Sequence, residues 1–92
     1  MRVHQLKTWP EPFQAVLDGR KRHEYRVDDR EFEVGDHLRL VEWNPGLTDD
    51  GELDAGVRGY TGRETMVVVT YLSKGAFAIP TGYVVMSVEL VP

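Results

Sequence analysis

Alternating apolar and polar positions predict most of the strands in this chain. Successive side chains of a strand point to opposite faces, so a period of two indicates a strand with one buried face. Val3 to Lys7, His37 to Trp43 and Tyr83 to Leu90 show this alternation. In the last of them the inward face is expected to hold four residues: Val84, Met86, Val88 and Leu90. Two further strands are predicted at His23 to Val27 and at Glu64 to Leu72.

The strand from Glu64 to Leu72 differs from the others because its apolar residues do not alternate. Met66 to Val69 form a nearly continuous apolar run. Such runs are typical of central strands that are covered on both faces. This segment is therefore expected to lie in the middle of the sheet.

A short helix is predicted between the first two strands, roughly from Glu11 to Asp18. Prolines near its start fit a first helical turn, whose N–H groups have no helical partner. Phe13, Val16 and Leu17 fall at i, i+3 and i+4 and form one apolar stripe. Gly19 follows and readily adopts the left-handed conformation that ends helices, so the helix has about two turns.

The remaining segments are predicted to be connections. Leu47 to Gly62 is rich in Asp, Gly and Thr and is expected to be a loop, with a short extended piece at Val57 to Tyr60. Ser73 to Gly82 forms another loop, and Phe32 and Val34 should anchor the connection before the third strand. Five or six short strands with one helix favour a small mixed β-barrel. A flat two-layer α/β sandwich is the weaker alternative, because one helix cannot cover so wide a sheet.

Size and composition narrow the function classes. A chain of 92 residues is expected to form one domain, spanning residues 1 to 92. It has no cysteine, and its three histidines lack zinc-ligand spacing, so neither a metal nor another cofactor is expected. No apolar stretch approaches the roughly 20 residues of a membrane helix, and the N-terminus lacks the apolar region of a signal peptide. A cytoplasmic protein without a membrane partner is therefore expected.

Charge is unevenly distributed along the chain. The net charge is -4, yet residues 1–26 carry six Lys or Arg and only three Asp or Glu. The remaining residues carry five Lys or Arg and twelve Asp or Glu. An acidic total argues against broad coating of nucleic acid, which needs many cations. One focused anion-binding cleft remains compatible with it.

The basic residues concentrate in the segment Gly19-Arg20-Lys21-Arg22-His23-Glu24-Tyr25-Arg26. Alternation along the strand predicts that Glu24 and Arg26 share a face and that Arg22 joins them, whereas Lys21 could lie in the turn before the strand. Tyr25 is expected to be packed. A glutamate between cations can be a structural ion pair, part of a ligand-binding site or a catalytic group.

Two aromatic residues have candidate roles beside these cations. Trp9 lies close in sequence to Lys7, and an aromatic ring near cations can stack on a single-stranded base. Alternatively, Trp9 packs against Phe13 at the end of the barrel. Trp43 is expected to pack at the edge of the core.

Several of these motifs, in this order, resemble those of the ASCH domain, a member of the PUA-like superfamily. They are Trp9-Pro10, a helix with Phe13 and Val16, Gly19-x-Lys21-x-x-Glu24-x-Arg26, Val34-Gly35-Asp36, Tyr60-Thr61-Gly62 and Gly82-Tyr83-Val84-Val85. The resemblance covers essentially the whole chain and is closest to a small branch of single-domain ASCH-like proteins. It implies a mainly β (α+β) fold, a PUA-like pseudo-barrel of five or six strands with one short N-terminal helix. It also implies a cleft beside this helix for RNA or a modified nucleotide.

The leading hypothesis is therefore a domain that binds RNA or a nucleotide-like ligand, and binding is preferred to catalysis. The expected binding residues are Lys7, Trp9, Arg20, Lys21, Arg22, Glu24 and Arg26. The resemblance also leaves open a hydrolase of a modified nucleoside amide or of RNA, with Lys21 and Glu24 as acid-base groups. Related hydrolases have a threonine three residues after the motif lysine, where this chain has Glu24. A third alternative is a protein-interaction module that uses the acidic segment from Thr48 to Asp54.

Overall fold

A computed structural model describes residues 1–48, 59–76 and 78–92 of the chain. In chain order the elements are β1 (Val3–Thr8), α1 (Pro10–Leu17), β2 (His23–Val27), β3 (His37–Trp43), a 3-10 turn (Pro45–Thr48), β4 (Tyr60–Lys74) and β5 (Tyr83–Leu90). The predicted helix and all five predicted strands are present, with bounds that differ by a few residues.

The five strands form one sheet in the order β1-β3-β4-β5-β2. β1 pairs with β3 in parallel, and the other neighbours are antiparallel. The sheet curls into a half-barrel that carries one short helix, so the expectation of a mainly β barrel-like fold is confirmed. β4 is the middle strand, as its apolar run predicted.

Burial of one face of the sheet and of one side of α1 produces the core. Its members are Leu6, Phe13, Val16, Phe32, Leu38, Leu40, Val67, Val69, Val84, Met86 and Val88. α1 packs against β3. Gly19 has a φ of +79°, which confirms the predicted left-handed end of the helix.

Three predictions about burial are wrong. Leu90 is exposed because it is the last residue of β5, beyond the side chains that cover the middle of the strand. Met66 and Val68 are only half-buried, because they lie on the face of β4 opposite to the core residues Val67 and Val69. Val34 is 59% exposed, and Phe32 alone of the two predicted anchors enters the core.

The predicted loops are also shorter than expected. β4 begins at Tyr60, where it pairs with Trp43, and continues to Lys74, so Gly62 and Ser73 belong to a strand. Leu47 and Thr48 end the 3-10 turn. The first half of the predicted extended piece from Val57 to Tyr60, and all of the acidic segment except Thr48, lie outside the described residues.

A buried aspartate holds the connection before β3 in the place where Val34 was expected to do so. The Asp36 carboxylate accepts hydrogen bonds from the backbone N–H groups of Arg2 and Glu33, at 3.0 and 3.1 Å, and lies 2.9 Å from His4 Nε2. Burial alone would raise the pKa of Asp36. The hydrogen bonds from His4, Arg2 and Glu33 outweigh burial and lower this pKa to about 2.

Side chains tie together the two border strands of the sheet, β1 and β2. Arg26 donates hydrogen bonds to the carbonyl oxygen of Lys7 at 3.2 Å and to Thr8 Oγ1 at 3.3 Å. Arg30, just after β2, donates to the carbonyl oxygen of Gln5 at 2.6 Å. We call these contacts the β1–β2 seam. They hold β1 and β2 close together, next to the predicted site.

Candidate functional site

A cleft of about 450 Å³ opens between the end of β1, the start of α1 and the strand β2. Five of the seven predicted binding residues line it: Lys7, Trp9, Lys21, Glu24 and Arg26. Thr8, His23 and Tyr25 line it as well. The structure therefore brings together residues from three elements that the sequence had associated mainly by proximity along the chain.

Glu24 is buried in this cleft between two cations. Its side chain faces the interior of the half-barrel, and only 2% of the residue is exposed. Lys21 Nζ lies 2.6 Å from Glu24 Oε2, and Arg26 Nη2 and Nε lie 2.9 and 3.0 Å from Glu24 Oε1. The predicted common face of Glu24 and Arg26 is confirmed, and Lys21 reaches Glu24 from the turn before β2.

Both cations make further bonds. Lys21 Nζ donates to the carbonyl oxygen of His23 at 2.5 Å, and Arg26 also forms the β1–β2 seam. The three side chains therefore have a structural role, because they neutralise a buried carboxylate and join β1 to β2. They also give the cleft a fixed polar wall, which a ligand could contact without reorganising it.

The edge of the cleft is aromatic and exposed. Trp9 is 57% exposed, and its ring centroid lies 6.3 Å from that of Trp43 at an angle of 45°. Lys7 Nζ lies 4.3 Å from the centroid of the Trp43 ring, within the range of a cation–π contact. Trp9 thus contacts Trp43, and Phe13, its predicted packing partner, is fully buried in the core.

The orientation of Trp43 depends on a glycine. Gly59 has a φ of +87°, and a Cβ at this position would stand 2.1 Å from Trp43 Nε1. A larger residue would therefore push the indole away from its place beside Lys7 and Trp9. Gly59 is a contributor to the cleft that the sequence pattern did not reveal.

Arg20 and Arg22 do not line the cleft. Arg20 Nη2 pairs with Asp18 Oδ2 at 3.0 Å, and hydrogen bonds from Gln14 and then from Arg20 lower the pKa of Asp18. Arg22 donates from Nε to the carbonyl oxygen of Gly19 at 3.1 Å and borders a separate hollow with Ser87. The prediction that Arg22 shares the face of Glu24 is wrong, because β2 begins at His23 and strand alternation does not extend to Arg22.

Tyr25 is a cleft residue that was expected to be packed but is not. It is 51% exposed, and its ring centroid lies 5.5 Å from that of Tyr83. Strand alternation could have predicted this exposure, because Tyr25 must face away from the interior once its neighbour Glu24 points inward. The cleft therefore presents two exposed rings, Trp9 and Tyr25, together with three cations and one carboxylate.

The described residues contain neither a metal-site cluster nor a membrane-spanning helix. In the ranges 1–48, 59–76 and 78–92, no group of three or more His, Asp or Glu side chains has the arrangement of a metal site. Within the same ranges no helix is long and apolar enough to span a membrane.

Comparison with known proteins identifies a family. A family model described as "Domain of unknown function (DUF3850)" matches residues 3–88. The chain is also similar to the "Uncharacterized 12.9 kDa protein in GpA 3'region" of Escherichia phage P2. The two are 37% identical over 60 residues, which are 65% of this chain and 55% of that protein, so the match covers about half of the relative's length. Because the family match covers nearly the whole sequence, the chain belongs to the DUF3850 family of proteins.

Proposed function

We propose that this protein binds single-stranded RNA, or a nucleotide-like ligand, in the cleft lined by Lys7, Trp9, Lys21, Glu24 and Arg26. The observation that carries the proposal is the exposed Trp9 ring beside a cluster of cations. Nucleobases stack on exposed aromatic rings, and phosphates pair with nearby cations. The resemblance to ASCH domains supports the same ligand class. It also supports a PUA-like form of the half-barrel and, with the absence of cysteine, a cytoplasmic location.

The aromatic residues would supply the base contact. Trp9 and Tyr25 are both more than half exposed and line the same cleft. Exposed apolar surface that gathers at one cleft commonly marks an interaction site. Stacking is tolerant of base identity, so these rings would favour nucleobases in general over one base.

The polar wall would supply the remaining contacts. Lys7 is exposed and lines the cleft, and an ammonium group has three N–H donors with which it can bind a phosphate. Glu24 is only 2% exposed and accepts bonds from Lys21 and Arg26, so its role would be to orient these two cations. The side chains of Lys21 and Arg26 are 21% and 26% exposed and would donate hydrogen bonds to a base edge or a phosphate.

The hydrolase alternative receives less support from the same geometry. A general base must be able to take a proton from the substrate. Lys21 and Glu24 are instead bonded to each other at 2.6 Å, and Arg26 holds the second oxygen of Glu24. This arrangement suits a rigid binding wall better than an acid-base pair, so the proposal is for binding.

Replacing Trp9 by alanine tests the stacking contact. We expect the affinity for a single-stranded RNA of about eight nucleotides to fall roughly tenfold or more, because one base loses its stacking partner. A fluorescence titration with labelled RNA at low salt measures the change. Trp9 is exposed, so the thermal unfolding temperature should stay close to that of the wild type. Failure of the wild-type protein to bind any such RNA at low salt would refute the proposed function.

Replacing Lys7 by alanine tests the phosphate contact. We expect weaker binding at low salt and a slope of log affinity against log salt that is smaller by about one, because one phosphate contact is lost. Arg22→Ala is the matched control, since Arg22 is a cation of the same sequence region that lies outside the cleft. Equal losses in the two variants would show that general charge, and not the cleft, attracts the RNA.

A further inference from the structure

A second hollow of about 330 Å³ adjoins the cleft on the other side of Tyr25. Tyr25 and Arg26 line both the cleft and this hollow. Tyr83 and Arg30 line only the second hollow. The two spaces are therefore neighbours with a common wall, and a ligand that crosses Tyr25 and Arg26 can occupy both.

Tyr25 and Tyr83 form one aromatic platform at this wall. Their ring centroids are 5.5 Å apart and their planes differ by 31°, which is within the range of offset aromatic pairs. The rings are too close for a base to enter between them, but both are exposed. Strand pairing fixes their positions, because Tyr25 lies opposite Val85 and Tyr83 lies opposite Val27.

The charges of the second hollow differ from those of the cleft. Arg30 is partly exposed there, but its Nε lies 3.6 Å from Asp29 Oδ1. Asp29 also lines the hollow, so the guanidinium charge is partly neutralised. This balance favours an uncharged nucleobase inside the hollow. The linking phosphate would be better placed at the wall near Arg26, towards the more basic cleft.

We propose that the second hollow is a subsite for the next nucleotide of a single-stranded RNA whose first nucleotide occupies the cleft. The second base stacks on the Tyr25–Tyr83 platform, and the RNA backbone passes from the cleft to the second hollow beside Arg26. The inference rests on the proposed function and sharpens it: the ligand is an RNA strand of at least two nucleotides, and a free mononucleotide fills only half of the site.

The test compares a nucleoside 5′-monophosphate with a single-stranded RNA of about eight nucleotides on the same protein variants. We expect the wild-type protein to bind the RNA more tightly than the monophosphate. Tyr83→Ala should weaken RNA binding roughly tenfold and leave monophosphate binding unchanged, because only the second base loses its platform. Tyr83→Phe should keep the wild-type affinity for both ligands, since it retains the ring.

Tyr71→Ala is the matched control for surface tyrosines. Tyr71 is 63% exposed on β4 and borders neither of the two spaces in the described part of the chain. RNA binding that is unaffected by Tyr83→Ala, or weakened equally by Tyr71→Ala, would overturn the subsite. Equal wild-type affinities for the monophosphate and the RNA would overturn it too, while the cleft itself would stand. Absence of binding to both ligands would overturn the proposed function and the subsite together.

Discussion

Replacing Glu24 by alanine is expected to lower the free energy of unfolding by about 3–5 kcal/mol, because it leaves two partly buried cations without their shared carboxylate. Lys21 and Arg26 would lose their contacts with Glu24 at 2.6 and 2.9 Å. Arg26 would also lose the group that orients it towards β1, so the β1–β2 seam should weaken. Equilibrium unfolding in urea, followed by circular dichroism, measures the change.

Glu64→Ala is the control for this prediction. Glu64 also makes a short ion pair, with Arg39 Nη2 at 2.7 Å, but both side chains are roughly half exposed. An exposed pair of this kind contributes at most about 1 kcal/mol. If the two variants lost equal stability, the buried position of Glu24 would not be the source of its effect, and the account of the cleft wall given above would be wrong.

Replacing Asp36 by asparagine is expected to cost roughly 2–4 kcal/mol near neutral pH, because the buried charged acceptor of three hydrogen bonds is replaced by a neutral amide. The loss should appear in the same urea unfolding experiment. Asp29→Asn is the matched control, since the Asp29 side chain is mostly exposed and takes part only in a surface ion pair. It should change stability by less than about 1 kcal/mol.

The same residue predicts how stability depends on pH. Its folded-state pKa of about 2 is below the ordinary aspartate pKa of 3.8, so the folded state binds the proton less readily than the unfolded chain. The contribution of Asp36 is therefore complete above about pH 4 and is lost as the pH falls towards about 2. Unfolding curves of the wild type should show this loss. Asp36→Asn should reduce the acid-dependent part of the curve, and an unchanged acid dependence would contradict the assignment.

The local pattern of the sequence was sufficient for the strands and for part of the site. Period-two alternation located β1, β3 and β5, and within the predicted strand from His23 to Val27 it placed Glu24 and Arg26 on one face. The helix stop at Gly19 was equally local, because a left-handed residue is needed there whatever surrounds it. Charge clustering singled out a segment from which Lys21, Glu24 and Arg26 line one cleft.

Features that depend on contacts between distant residues were not predictable in this way. The start of β4 at Tyr60 is set by its pairing with Trp43, whereas the local sequence predicted only a short extended piece that ends at Tyr60 within a loop. The local sequence around Asp36 predicts only a turn, yet the Asp36 carboxylate contacts the backbone N–H of Arg2 and the ring of His4. The face of Arg22 was predicted wrongly for a related reason. Pairing with β5 determines where β2 begins, and the first paired residue is His23.

The β1–β2 seam has a consequence for how this protein behaves in concentrated solution. A border strand with unpaired carbonyl groups is a template on which another molecule can add a strand, and so a starting point for fibrils or strand exchange. Here Arg26 and Arg30 already occupy the carbonyl oxygens of Lys7 and Gln5. An incoming chain would have to displace two charged donors, so the arginines protect the molecule from self-association.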